Sequence, residues 1–491
     1  MEGLQMPPDA ANDGPPDPSD PSDPSRSSPA LEVVEIAPDG DLMLDVTFET
    51  SKETLKAARK AAKPRPGQKE EAPPLRSRLR LGYRVRLSVL KQQSKYFSNL
   101  LGDTRFAEAK AVVAALERLS LGRVKPEDAP IRDLPVVTIH EDDEATKMAG
   151  QEAVFGDLLR MLHQKETVTR PLTMHHIATL AVLADRFDCT GPVSKRLSTL
   201  KFKWPASRTP GSSVVQTNEE TLRQKILASW LLDQPLKMHA SARELVTYGS
   251  AMWRFDAQEE GEEETGGLAA WWHLPDGLER ELQYRRECIL NTVASVPRHF
   301  LRLYASRGDR QCKLGYDSSV SCDSFQLGEM FKFLTSHNLL FLSDFSPGSL
   351  DDRAQQQVQD SYATTSISHI IGVLRHCSAY QIDKHHTNCG LRTRITPIME
   401  YIQTMLASSI IAPTRAAWKS ARDATSWLPR GEMNGLQDGT KRGGRQEEEE
   451  KVFRFTRSLA GDQRLRYEGA MAAERMARDL FTADRWDWTP E

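Results

Sequence analysis

Residues 82–101 read GYRVRLSVLKQQSKYFSNLL, and a change of period inside them decides the fold. Tyr83, Val85 and Leu87 alternate with Arg84, Arg86 and Ser88, the rhythm of a strand with one buried face. From Ser88 the rhythm turns helical: Val89, Leu90, Tyr96, Phe97, Leu100 and Leu101 recur at spacings near three and four, and Gly102 stops the run. A strand therefore feeds a short helix and then an aromatic-bearing one.

A partner strand lies upstream. In residues 41–50, DLMLDVTFET, Leu42, Leu44, Val46 and Phe48 alternate with polar residues. Two strands followed by a helix with a Ser-x-Tyr-Phe pattern resemble the opening of the BTB/POZ fold. The residues that carry the resemblance are Asp45-Val46 in the first strand, Val89-Leu90 after the second, and Ser94-Lys95-Tyr96-Phe97 in the helix. Further on, Leu183-Ala184-Asp185-Arg186-Phe187 is similar to the end of that family's penultimate helix. Arg86 stands where family members usually carry a His paired with the strand Asp. Either an Arg86–Asp45 ion pair replaces that contact, since a guanidinium suits a carboxylate, or Arg86 faces solvent.

The resemblance covers residues 41–201. It implies an α+β N-terminal domain, a small sheet covered by helices, and a role as a protein–protein interaction adaptor. Domains of this family commonly dimerise, and some serve cullin-based ubiquitin ligases as substrate adaptors. On that analogy the interaction surface comprises Tyr96, Phe97, Phe155, Leu158 and Leu159, and the partner is a second copy, a cullin or another protein.

The 491 residues are enough for two or three domains, and the net charge of −3 argues against a general polyanion binder. The 6 scattered cysteines suit a reducing compartment. No charged-then-apolar leader opens the sequence, and no run approaches the length of a membrane span. These features predict a soluble protein of the nucleus, the cytoplasm or both.

In chain order, residues 1–38 form an acidic, Pro- and Ser-rich tail, predicted disordered, with Ser19, Ser22 and Ser25 as candidate phosphorylation sites. Within the BTB/POZ-like domain at 39–204, residues 51–78 read as a disordered insertion. Its basic residues Lys56, Arg59, Lys60, Lys63 and Arg65 make either a solvated loop or a nuclear-import patch. A second insertion, 103–133, holds a helix over 107–121 with Val112, Val113, Leu116 and Leu119 in a stripe. A strand follows over 134–140, then helices over 154–163, 172–189 and 193–200. Residues 205–218 are a linker.

An all-α region is expected over 215–412, with helices at 219–232, 240–253, 278–304, 327–338, 367–376 and 396–406. Pro297 is expected to split the long one. Residues 258–267 read as an acidic surface loop, 413–450 as a low-complexity linker and 451–491 as a helical tail. Trp486 and Trp488 in that tail are placed to dock on the body or on a partner.

Cys312, Cys322, His386 and Cys389 carry the one constellation with chemistry in it. Thiolate and imidazole are the usual zinc ligands, and structural sites use four of them. Nine residues separate Cys312 from Cys322, and His386-x-x-Cys389 supplies a close second pair, both on stretches that read as non-helical. The spacing departs from the C-x₂-C form of zinc fingers, so buried, unliganded thiols are the competing reading; His385 and Cys377 are alternates. The same stretches resemble the C-terminal region of fungal BTB-domain proteins, in which Cys-Asp (here Cys322-Asp323) precedes a His-x-x-Cys-x-Leu segment (here His386 to Leu391).

The sequence contains no G-x-S-x-G, Walker A, H-E-x-x-H or G-x-G-x-x-G motif, so no enzyme is expected. Glu141-Asp142-Asp143-Glu144 reads as a solvated turn. His175-His176 opens a helix, where only one of the two can face inward. The rival function is a nuclear transcription or chromatin regulator that contacts nucleic acid through the basic insertion.

Overall fold

The computed structural model describes residues 31–61, 75–169, 171–200, 204, 219–254, 267–306, 310–343, 364–429, 450–461 and 470–489. The Ser19, Ser22 and Ser25 sites, Lys63 and Arg65, the 205–218 linker and most of the acidic loop lie outside them. The chain is α+β: a small mixed sheet at the front, then helices.

The front sheet has the order β1-β3-β2-β4, from β1 (Glu32–Glu35), β2 (Leu42–Glu49), β3 (Arg78–Val85) and β4 (Val136–Asp142). As the alternation predicts, β2 and β3 lie side by side, antiparallel, with Leu44 opposite Tyr83 and Val46 opposite Leu81. β1 and β4 flank them in parallel pairings. The central position of β2 buries both its faces, so Asp45 and Thr47 are inside with the apolar residues. β1 corrects the expectation of a wholly disordered 1–38 segment. Four residues are too few to show a period, and the strand exists because the open edge of β3 supplies its hydrogen bonds.

The Arg86–Asp45 pair is also corrected. Asp45 is held by Arg80, whose Nε and Nη2 donate to it at 2.8 and 2.5 Å, while Arg86 pairs with Asp39. Register is the reason: Asp45 sits opposite Gly82, and the diagonal neighbour two residues along is within reach of a long side chain. Arg86 lies four residues from Gly82, past the end of β3 and about 13 Å away at strand rise.

Among the described residues, eight helices belong with this sheet or adjoin it: α1 (Lys52–Ala61), α2 (Leu87–Gln93), α3 (Lys95–Gly102), α4 (Ala107–Leu121), α5 (Gln151–Leu162), α6 (Met174–Arg186), α7 (Thr190–Thr199) and α8 (Glu219–Leu231). Helix α1 falls where a disordered insertion was expected. It is anchored because Ser51 donates from its backbone N and its Oγ to Asp143, both at 3.0 Å, and Leu55 is buried. Ser94 caps α3, accepting from Phe97 N at 3.1 Å and donating to Phe187 O at 2.7 Å. Phe97 stacks on Phe187, which meets Phe155 edge-on; Phe155 in turn meets Phe48 and Tyr83.

That aromatic core overturns most of the expected interaction surface. Phe97, Phe155, Leu158 and Leu159 are buried under the sheet, and of the five residues Tyr96 alone is substantially exposed. The stripe that makes a helix amphipathic is the face it hides.

The 141–144 turn is likewise not all solvated, since Glu141 and Asp143 point inward. Arg186 Nη1 donates to the Glu141 carboxylate at 2.8 Å. Burial pushes that carboxyl up to about 7, and Arg186 offsets only part of the effect. A raised carboxyl contributes stability that is complete below its unfolded value, 4.5, and is lost as pH rises through 7. The loss should reach about 3 kcal/mol. In denaturant melts at several pH values, Glu141→Gln should flatten this decline relative to wild type; identical pH profiles would refute the assignment.

Helix α8 packs on α6, and its Ala228 joins the front core together with Leu232 just beyond it. The rest of the body is α9 (Pro235–Tyr248), α10 (Leu278–Ala305), α11 (Ser319–Ser336), α12 (Ile367–Arg375) and α13 (Arg392–Leu406). Pro297 does not split α10, which runs through it. Val293, Ala294, Val296 and Phe300 are buried on both sides of the proline, and this packing outweighs the roughly 3 kcal/mol an interior proline costs.

Short helices α14 (Arg415–Ser420) and α15 (Arg422–Thr425) replace the first part of the expected 413–450 linker, with Trp418 and Trp427 buried. The expected helical tail contains a two-stranded parallel ribbon, β5 (Val452–Arg454) and β6 (Arg485–Asp487), as well as α16 (Arg457–Gly461) and α17 (Ala470–Phe481). Trp488 docks on the body, its Nε1 donating to Ser295 Oγ of α10 at 2.8 Å. Among the described residues no helix is long and apolar enough to cross a membrane.

Candidate metal centre

Two chain segments meet behind α10. The first runs from Cys312 into α11. Asp323 shapes it, its two carboxylate oxygens accepting from Gln311 N at 2.8 Å and Cys312 N at 3.0 Å. Cys322 lies in the opening turn of α11, so the stretch around it is helical and not the loop the sequence predicted. The second segment, between α12 and α13, is non-helical as expected. His386 N donates to Asp383 O and Cys389 N to His386 O, at 3.2 and 3.3 Å.

Gln326, one turn beyond Cys322 on the same face of α11, ties the segments together. Its amide donates to Tyr380 O at 2.9 Å and accepts from Leu391 N at 3.4 Å. Gly390 permits the close approach, since a Cβ there would come within 3.1 Å of Tyr380 O.

These contacts bring together all four residues proposed from sequence. The ligand atoms of Cys312, Cys322, His386 and Cys389 lie within 4.8 Å of one another. Cys312 Sγ is 3.5 Å from His386 Nδ1 and 3.7 Å from Cys389 Sγ. Cys312, Cys322 and His386 are buried and Cys389 is half-buried. On its far side His386 Nε2 stands 2.9 Å from Ser318 Oγ and 3.7 Å from an Asp383 carboxylate oxygen. The alternates do not join: His385 is exposed, and Cys377 is buried in the apolar core of the helical body.

The three thiols are electrostatically unlike. Burial raises each, but at Cys312 the nearby Ser319 hydroxyl, the Leu314 backbone and the two other cysteines prevail and hold it below the ordinary thiol value. Burial and the neighbouring sulfurs push Cys322 up to about 12, and Cys389 is raised as well. Three thiolates cannot coexist at this spacing without a cation, because like charges in a shared site disfavour one another's ionisation.

No family model matches the chain, and neither a curated protein nor a solved structure does. What the site can do is therefore read from its own donor set. Four protein donors facing one point, three of them buried, would leave no open position of the kind a catalytic metal keeps.

Sequence reasoning missed the supporting residues Ser318, Gln326 and Asp383, and quoted Asp323 as part of the Cys322-Asp323 pair without giving it a role. The i, i+4 spacing of Cys322 and Gln326 was a usable signal once α11 was known to begin at Ser319. A separate cleft of about 490 Å³, lined by Phe333, His337, His369, His376 and Tyr380 among others, contains none of the four ligands.

Both histidines of the His175-His176 pair are structural, and as expected only one is buried. His176 lies 3.4 Å from the buried Asp157 carboxylate. His175 reaches Thr146 O at 3.0 Å and packs edge-on against Trp271.

Proposed function

We propose that this chain is a protein-interaction adaptor, whose BTB/POZ-like front module offers a docking surface to a partner protein. The order of β2, β3, α2, α3, β4, α5, α6 and α7, with the Ser94 cap in place, supports the family reading. The observation that carries the interaction reading is where apolar surface remains uncovered. Seven of the fifteen large apolar side chains exposed among the described residues come from residues 96–136: Tyr96, Phe106, Val113, Leu121, Val124, Ile131 and Val136. This concentration along the chain, and not the buried aromatic cluster, is where contact is to be expected, because apolar side chains left in water are the ones a partner can cover. Leu121 is 85 % exposed and Val136 50 %.

Self-association and service as a substrate adaptor for a cullin-type ubiquitin ligase are the two forms the family resemblance suggests. The test uses full-length protein, because deleting the front module would strand Ala228 and Leu232 of the helical body. Leu121→Asp combined with Val136→Asp should leave the melting curve unchanged while abolishing partner capture or lowering the mass measured by light scattering. A double variant that keeps wild-type mass and every captured partner would sink the proposal.

Lys56, Arg59 and Lys60 are exposed together on α1, which keeps the nucleic-acid reading testable. A complex with duplex DNA that weakens steeply with salt would favour it.

A further inference from the structure

We propose that Cys312, Cys322, Cys389 and Nδ1 of His386 hold one structural zinc ion, which clamps the start of α11 to the turn before α13. Ligands at zinc–sulfur and zinc–nitrogen distances of about 2.3 and 2.0 Å, spread tetrahedrally, stand about 3.8 Å apart for two sulfurs and about 3.5 Å for sulfur and nitrogen. The separations here are 3.7 Å between Cys312 and Cys389 sulfurs and 3.5 Å between Cys312 Sγ and His386 Nδ1. Hydrogen bonding alone does not require four soft donors to converge within 4.8 Å of one another from segments 74 residues apart.

The donor types narrow the ion. Three thiolates and one imidazole in a tetrahedron suit zinc and exclude the hard cations magnesium and calcium, which take oxygen ligands. The surroundings also fit. With Nδ1 on the metal, Nε2 carries the hydrogen and donates to Ser318 Oγ at 2.9 Å, with the Asp383 carboxylate behind it at 3.7 Å. A partner on the far nitrogen fixes the tautomer and orients the ring, as around most metal-bound histidines. Asp323 does the same for the Cys312 backbone. The ion carries no chemistry of its own in this arrangement: it neutralises the thiolates and cross-links two loops. The proposal is independent of the partner-binding surface.

The test is metal analysis of full-length protein purified without added metal, followed by exchange with cobalt. One zinc per chain is expected, and cobalt should produce thiolate-to-metal charge transfer and the visible bands of a tetrahedral site. Cys322→Ser should lose the metal, whereas Cys288→Ser, which changes a thiol on α10 outside the cluster, should retain it. Ser318→Ala leaves every ligand in place and should weaken zinc binding about 10- to 100-fold against a competing chelator. Wild-type protein with no zinc and no cobalt–thiolate band would overturn the proposal, as would equal metal loss from the Cys288 and Cys322 variants.

Discussion

Glu281→Ala should cost about 3–5 kcal/mol of stability, a penalty typical of breaking a buried pair by removing one partner. Glu281 and Arg285, one turn apart on α10, are both fully buried, with Arg285 Nε donating to Glu281 at 2.6 Å. The carboxylate also accepts from Ser426 Oγ at 2.6 Å and Trp427 N at 2.9 Å. The guanidinium continues to Ile410 O at 2.6 Å and Thr425 O at 2.7 Å, and lies over the Trp427 ring. One ion pair thus pins the 409–427 segment to the centre of the helical body. Without Glu281, Arg285 is a charge left inside with carbonyls but no counter-ion.

The expected drop in melting temperature is of the order of 10 °C. Replacing both residues together, Glu281→Leu with Arg285→Met, should cost less than the single change, because no uncompensated charge remains. Arg422→Ala, which breaks the exposed contact with Asp276 at 3.1 Å, serves as the mild comparison and should fall under about 1 kcal/mol. Thermal melts of the three variants decide the matter. A Glu281→Ala protein as stable as Arg422→Ala would mean that the pair is not an anchor.

The second large effect is expected from removing the zinc proposed above. A cross-link closing a loop of this length is worth about 4 kcal/mol in chain entropy, and metal binding adds to folding free energy directly. Treatment with a strong chelator should therefore loosen the opening of α11 and the 383–391 turn before anything else. Hydrogen exchange would register this at the amides of Gln311, Cys312, Cys389 and Leu391, which are bonded to Asp323, His386 and Gln326. Amides of β2 and β3 should keep their protection, since no ligand comes from the front module. Unchanged exchange after complete loss of zinc would show that the ion is bound but does not hold the two segments.

Much of the front module was legible because its signals are local. Leu42, Leu44, Val46 and Phe48 alternate, Tyr83 and Val85 alternate, and the period changes at Ser88; each depends on residues within a few positions. The same holds for α4, α6 and α8, whose apolar spacing marks them without reference to the rest of the chain. Ser94 was read as part of a helical pattern, and its place as the cap of α3 came only from the structure. The four metal-site residues were legible for a different reason: Cys and His are few, and their chemistry singles them out whatever separates them.

Contacts set by register and packing were not legible. Whether Asp45 meets Arg80 or Arg86 depends on which β3 residue stands opposite, and that is decided only when the strands pair. Apolar spacing located the faces that α3 and α5 bury, but that Leu121 at the end of α4 stays open was decided by packing. Residues 413–429 look like a linker because nothing near them repeats. Their end is held by Glu281 and Arg285 and their middle by Asp276, all more than a hundred positions upstream.

From its residues alone, the chain determined a short paired sheet, the helices that follow it, and four soft donors fit for one ion. The tertiary structure decided which charges are paired, which apolar side chains are left outside, and that those donors converge. Periodicity is a property of neighbours along the chain, whereas convergence is a property of neighbours in space, and only packing creates the second.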